Sequence, residues 1–295
     1  MWKYYALLLT YWLLGRLPRR IVYGVARLGA DATYLLRADI RRHVQANMRQ
    51  VLGPEASQRS VCRGAREAVR NAARYYADLI RIPYIDLRRF VVQDLTLEGL
   101  HHLQKALAEG RGAVLASAHF GNPEIAVQAL ALGIRVLALI EPLEPPQLLR
   151  LTQRLRSAHG HTYLPASFSG VKEALRYLRS GGTVAILIDR DIQRRGVPVP
   201  FCGHPAPMPM GAVVLALRTG ADLIPSFVHR ERGFHYHVYM GPPLSLVHTG
   251  DEQQDLRINS ANLLGRFEEH LRSDPGQWAV LEPVWTDDEP ESTAS

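Results

Sequence analysis

Two hydrophobic periodicities divide the chain. Up to about residue 92 the apolar positions recur every three to four residues, which predicts helices. Ile21 to Leu36 and Asp39 to Leu52 each keep this spacing, and Gly53-Pro54 breaks it. A long helix is predicted from about Ser57 to Arg81, stopping before Pro83. From about residue 95, short apolar runs alternate with amphipathic stretches. Ala113–Ala118, Arg135–Ile140, Thr183–Ile188, Leu223–Val228 and Phe234–Met240 read as strands. Residues 123–132, 145–158, 170–180 and 210–219 read as helices between them, and 252–273 as a final helix. Such alternation predicts an α/β fold, a mostly parallel sheet with helices on both faces. The last two runs, broken at Arg232-Gly233, predict a hairpin at one edge of the sheet. The organisation expected is a helical part at 1–92, an α/β core at 93–285 and a disordered acidic tail at 286–295, with the first two forming one integrated unit.

Charge sharpens this division. The 295 residues carry 35 Lys+Arg and 28 Asp+Glu, and only three of the basic residues are Lys. Residues 1–90 hold 17 basic and 6 acidic side chains, a balance of +11, whereas residues 91–295 hold 18 and 22, a balance of −4. The first third therefore suits an anionic partner, a phospholipid surface or a nucleic acid. No nucleic-acid motif is present, and the aromatics cluster with apolar residues instead of alternating with Lys and Arg, so no nucleic-acid partner is expected. Tyr4 to Leu14 is apolar for about eleven residues, about half of a membrane span. Trp2, Tyr4, Tyr5, Tyr11 and Trp12 beside Arg16, Arg19 and Arg20 fit an interfacial anchor, and equally an N-terminal helix of the core. Two cysteines, Cys62 and Cys202, exclude a disulfide scaffold and a Cys-based zinc site and read as free thiols in a reducing compartment.

The strongest chemical feature is Ser117-Ala118-His119-Phe120-Gly121-Asn122-Pro123-Glu124, at the end of an apolar strand. Asn122 is a good N-cap, Pro123 fits the first helical position and Glu124 lies in the first turn. With Gly121 between them, the loop can fold His119 over Glu124, which would hold one imidazole nitrogen and leave the other as a general base. The alternative is a capped loop histidine and a glutamate that complements the helix dipole. Asp189-Arg190-Asp191 ends another apolar strand. Its carboxylates could ligate a divalent metal on a nucleotide sugar, hold neighbouring arginines, or form a plain charged turn. The proline-dense stretch Val197 to Gly211 reads as a rigid loop forming one wall of a site. On the helix near 145–158, Arg150 and Arg154 share a face and Arg156 is turned away, with a phosphate or oxyanion role open to them. There is no GxSxG elbow, P-loop, strand-following GxGxxG or HExxH, so the chemistry expected needs neither an enzyme nucleophile nor a cofactor.

Together these features resemble the lysophospholipid acyltransferase superfamily. The resemblance is closer to the bacterial lipid A biosynthesis (lauroyl/myristoyl) acyltransferases and the related phosphatidylinositol mannoside acyltransferases. It is carried by His119-Phe120-Gly121-Asn122-Pro123-Glu124, Leu155-Arg156-Ser157, Gly181-Gly182-Thr183 leading to Asp189-Arg190-Asp191, and Val199-Pro200-Phe201-Cys202-Gly203 with Met208-Pro209-Met210-Gly211. Leu215 to Ala221 and Pro275-Gly276-Gln277-Trp278 with Trp285 continue it, so that it spans about residues 5–285. It implies a glycerol-3-phosphate acyltransferase-like fold with His119 as general base and Glu124 orienting it. The donor would be acyl-CoA or acyl carrier protein, and the acceptor a hydroxyl of a membrane glycolipid or lysophospholipid.

The expectation is therefore a peripheral acyltransferase on the cytoplasmic face of the plasma membrane, bound to an anionic surface. Its catalytic residues would be His119 and Glu124. Gly121, Asn122, Arg156, Asp189, Arg190 and Asp191 would contact substrate, with Arg156 and the backbone N–H groups near Gly121 as oxyanion donors, and no metal or cofactor. Two rival readings are a metal-dependent glycosyltransferase using Asp189 and Asp191, and a non-catalytic basic module that binds membrane through residues 1–90.

Overall fold

The computed structural model describes residues 1–285 except 193 and 232, so the tail expected at 286–295 lies outside the described residues. Five helices come first: α1 (Trp2–Leu14), α2 (Arg19–Leu36), α3 (Ala38–Leu52), α4 (Gln58–Leu79) and α5 (Leu87–Gln93). There follow β1 (Leu95–Glu98), α6 (Leu100–Ala108), β2 (Ala113–Ser117), α7 (Pro123–Leu130), β3 (Val136–Ile140), α8 (Pro146–Arg156), β4 (Thr162–Pro165), α9 (Phe168–Arg179) and β5 (Thr183–Leu187). The chain closes with β6 (Val197–Phe201), β7 (His204–Met208), α10 (Gly211–Thr219), β8 (Asp222–Arg230), β9 (Tyr236–Met240) and α11 (Glu252–Ser273).

Seven strands form one sheet in the order β1-β9-β8-β2-β5-β3-β4, parallel except for the β8–β9 hairpin. Alternation along the central strands explains its burial on both faces. Val114 and Ala116 of β2, Leu137 and Leu139 of β3 and Val184 of β5 join a core with α9, α10, α11, α3 and α4. Their neighbours Ala113, Leu115, Val136, Ala138 and Ala185 join a second core with α6, α7 and α8. No described helix is long and apolar enough to cross a membrane.

Two expectations are corrected. The β8–β9 hairpin is not at the edge, because β1 adds in parallel outside β9. And the proline-dense stretch is not a loop: β6 and β7 form a separate antiparallel hairpin. Its prolines oppose each other, Pro198 with Pro207 and Pro200 with Pro205. Prolines confined to alternate pairs leave the ladder to Val197, Val199 and Phe201 with their partners. Cys202 and Gly203 both take positive φ, the geometry that a tight two-residue hairpin turn demands.

Candidate active site

The register of two neighbouring strands builds the site. β2 and β5 run parallel with Ser117 opposite Leu187, and the Ile188 amide donates to the Ser117 carbonyl at 2.9 Å. Two residues beyond each strand end stand His119 and Asp189, side by side at the carboxyl edge of the sheet, where ligands of open α/β sheets sit. Asp189 Oδ1 lies 2.9 Å from His119 Nδ1, and its Oδ2 accepts the His119 backbone N–H at 2.8 Å. The Trp278 indole N–H donates to the same Oδ2 at 2.8 Å. Burial would raise this fully buried carboxyl, but the His119 charge and the hydrogen bonds from His119 and Trp278 outweigh it and hold Asp189 below its ordinary value. An ionised Asp189 accepts Nδ1–H, which leaves Nε2 as the imidazole lone pair. Nε2 has no protein partner among the described residues, and the His119 side chain is 18% exposed.

Glu124, expected to orient His119, is turned away from it. Its carboxylate sits in the first turn of α7, where it accepts the Tyr75 hydroxyl at 2.6 Å and pairs with Arg156 Nε at 2.8 Å. Both charges are buried, and the Tyr163 ring lies 5.9 Å from the guanidinium carbon. Burial alone would lower Arg156, yet the Glu124 charge raises it above the ordinary guanidinium value. Burial, followed by the Glu124 charge, raises Tyr75. The trio braces α4, α7 and α8 against one another. Arg156, expected as an oxyanion donor, is thus neutralised by Glu124, while Arg150 and Arg154 are exposed.

Gly121 and Asn122 position the loop. Gly121 has φ +62°, and a Cβ there would lie 1.9 Å from the Val228 carbonyl oxygen, so only glycine fits. Its N–H, another expected oxyanion donor, donates instead to the Gln277 carbonyl at 3.1 Å. Asn122 is fully buried: Oδ1 caps α7 at the amides of Glu124 and Ile125, and Nδ2 donates to Asp78 at 2.7 Å. Asp78 also pairs with Arg230 at 2.8 Å and accepts the hydroxyls of Tyr23 and Tyr236. Sequence reasoning missed Asp78, Arg230, Tyr75 and the role of Trp278. An acid between the apolar Ala77 and Leu79 at the end of α4 was the available signal for Asp78.

The Asp189-Arg190-Asp191 triplet splits three ways. Asp189 holds His119. Arg190 crosses to Glu282 at 2.5 Å and Glu141 at 3.5 Å, and these charges raise it against the lowering effect of burial. Asp191 accepts the amides of Arg195 at 3.1 Å and Gly196 at 2.6 Å. Both carboxylates are engaged by protein donors, which corrects the reading of the pair as an open cation site. Among the described residues no group of three or more His, Cys, Asp or Glu could hold a metal ion.

Comparison with known proteins shows the family. The profile of the bacterial lipid A biosynthesis acyltransferases matches residues 1–287. The chain is 33% identical over 271 residues to a phosphatidylinositol mannoside acyltransferase of Mycobacterium tuberculosis, covering 88% of this chain and 82% of the relative. It is 31% identical over 279 residues to the protein of that name from Mycolicibacterium smegmatis, covering 92% and 88%. The match covers residues 1–287 and is to a family of acyltransferases, which favours acyl transfer over the glycosyltransferase and non-catalytic readings: the chain belongs to the bacterial lipid A biosynthesis acyltransferase family.

Proposed function

We propose that this acyltransferase moves a fatty acyl group from a thioester, acyl-CoA or acyl carrier protein, to a hydroxyl of a phosphoinositol mannoside-type glycolipid. It does so at the cytoplasmic face of the plasma membrane. The observation that carries the reading is the His119–Asp189 pair, with Nε2 the free nitrogen. Nε2 takes the proton of the acceptor hydroxyl as its oxygen attacks the thioester carbonyl carbon. Asp189 holds the tautomer and stabilises the imidazolium, so it is a positioning residue. The tetrahedral intermediate collapses, the C–S bond breaks, and the Nε2 proton passes to the departing thiolate, returning His119 to its starting state. Thiolate is a good leaving group, so one base suffices and the route uses no metal or cofactor.

The names of the relatives support the choice of acceptor. Support for membrane association comes from α1. Its Leu7, Tyr11 and Leu14 pack on Val22, Ala77 and Ile80, while Trp2, Tyr5, Leu9, Trp12 and Leu13 stand exposed along the other side. The test presents purified protein with acyl-CoA and acyl carrier protein in parallel, with phosphatidylinositol mannoside as acceptor. Thiol release and the mass of the lipid product are followed. A product one acyl group heavier, lost in His119→Ala, supports the reading. An acylated product in His119→Ala at the native rate overturns it.

A further inference from the structure

We infer that a cationic cavity between α2, α4 and the β8–β9 turn binds the phosphodiester of an anionic membrane lipid. The cavity holds about 360 Å³ and is lined by Tyr23, Gly24, Arg27, Arg74, Arg230, Glu231 and Gly233, a size within the range of small-molecule sites.

Its charge is unbalanced. Arg230 is 6% exposed and already neutralised by Asp78. Glu231 is half-exposed and lies 3.8 Å from His237. The nearby Glu67 is paired with Arg70. Arg27 and Arg74 have no carboxylate partner among the described residues; the one hydrogen bond from the Arg74 guanidinium goes to Asn71 Oδ1 at 3.5 Å. Burial, then the charge of Arg230 with a further share from Arg27, holds Arg74 below the ordinary guanidinium value. Two guanidinium groups facing a cavity whose only acid among the described lining residues is half-exposed suit a planar, bidentate contact with phosphate oxygens.

The surroundings point to a lipid as the source. Ile21, Val25 and Leu28 form an exposed apolar stripe on α2. Gly24 sits about 60° round the helix from Ile21, so the cavity opens on the flank of that stripe. An amphipathic lipid could seat its phosphate among the arginines while its chains meet Ile21, Val25 and Leu28. The far wall connects to the catalytic loop: Arg230 N donates to Gln277 Oε1 at 2.7 Å, and the Gln277 carbonyl accepts the Gly121 N–H. The choice of a lipid over free phosphate rests on the membrane reading above; the anion site itself does not.

The experiment is co-sedimentation of the full chain with phosphatidylcholine vesicles, with and without phosphatidylglycerol, in phosphate or in chloride of equal ionic strength. Arg27→Gln/Arg74→Gln removes two charges from the cavity. Arg16→Gln/Arg20→Gln removes two exposed charges outside it, one in the α1–α2 turn and one in the first turn of α2. Gly24→Leu narrows the mouth without changing charge; a Cβ there meets nothing within 4 Å, and leucine favours the helix. The expected result is a loss of anionic-vesicle affinity of about tenfold in the cavity pair, a clear loss in Gly24→Leu, and a smaller loss in the control pair. Wild-type affinity in Gly24→Leu, or equal losses in the two charge pairs, overturns the site while the membrane reading stands. Displacement by inorganic phosphate with no cavity dependence of vesicle binding overturns the lipid source. Failure of the unaltered protein to bind either vesicle overturns the membrane reading and, with it, the lipid.

Discussion

Asp189 holds His119 at two points, by ring and by main chain: Oδ1 is 2.9 Å from Nδ1 and Oδ2 accepts the backbone N–H at 2.8 Å. The contact fixes both the tautomer and the position of the loop, and Trp278 fixes the carboxylate in turn.

Asp189→Asn keeps the shape but puts an amide where His119 N–H and Trp278 N–H both need an acceptor. Turnover is expected to fall by roughly 10³ to 10⁴, the size a tautomer-holding carboxylate carries in hydrolases, with KM little changed. Steady-state kinetics decide it: turnover within a few-fold of the native enzyme would remove Asp189 from the mechanism.

Glu124→Gln is expected to act mainly on stability. It leaves the buried Arg156 without its counter-charge, a change that costs about 3–5 kcal/mol. Urea unfolding measures this. Glu124→Leu/Arg156→Met should be more stable than either single variant, because no uncompensated charge remains. A stable Glu124→Gln protein with abolished turnover would return Glu124 to the chemistry.

His161 gives the fold an acid-sensitive point. It is buried, accepts the Val136 N–H at 3.2 Å, and burial lowers its pKa to about 4 from an ordinary 6.5. Its folded pKa lies below its unfolded one, so the unfolded chain binds the proton first. Stability is unaffected above about 6.5 and falls as pH drops from there towards 4, by of order 3 kcal/mol in all. His161→Asn retains an acceptor for Val136 and should flatten that part of the pH profile of unfolding. An unchanged slope would assign the sensitivity elsewhere.

Trp2 and Trp12, 74% and 65% exposed, test the outer face of α1. Trp2→Ser/Trp12→Ser should weaken partition into vesicles while leaving the melting temperature near its native value, because neither ring belongs to the packed side. Removal of residues 1–20 is a poorer test, since it also strips Leu7, Tyr11 and Leu14 from Val22, Ala77 and Ile80. Equal partition by the double serine variant would make α1 an ordinary core helix.

Local features were legible because local residues create them. The α7 start reads directly from Asn122 and Pro123, since the cap and the first-turn proline act within three residues. The central strands show as apolar runs because both faces are buried. β1 and β4 escaped notice: four residues each, partly exposed, they are strands only because β9 and β3 pair with them. The hairpin of β6 and β7 was hidden by its prolines, whose compatibility depends on a register no composition reveals.

The sequence by itself determined the α/β layering, the His119 loop at a strand end and the basic N-terminal third. Only the tertiary structure decided which carboxylate serves His119. Glu124 is five residues away, but the helix that begins at Pro123 turns its side chain towards Tyr75 and Arg156. Asp189 is 70 residues away, yet the parallel register of β2 with β5 brings the two strand ends level. Nearness along the chain is set by covalent bonds, whereas nearness at the carboxyl edge of a sheet is set by strand pairing, which the buried side chains of both cores choose together.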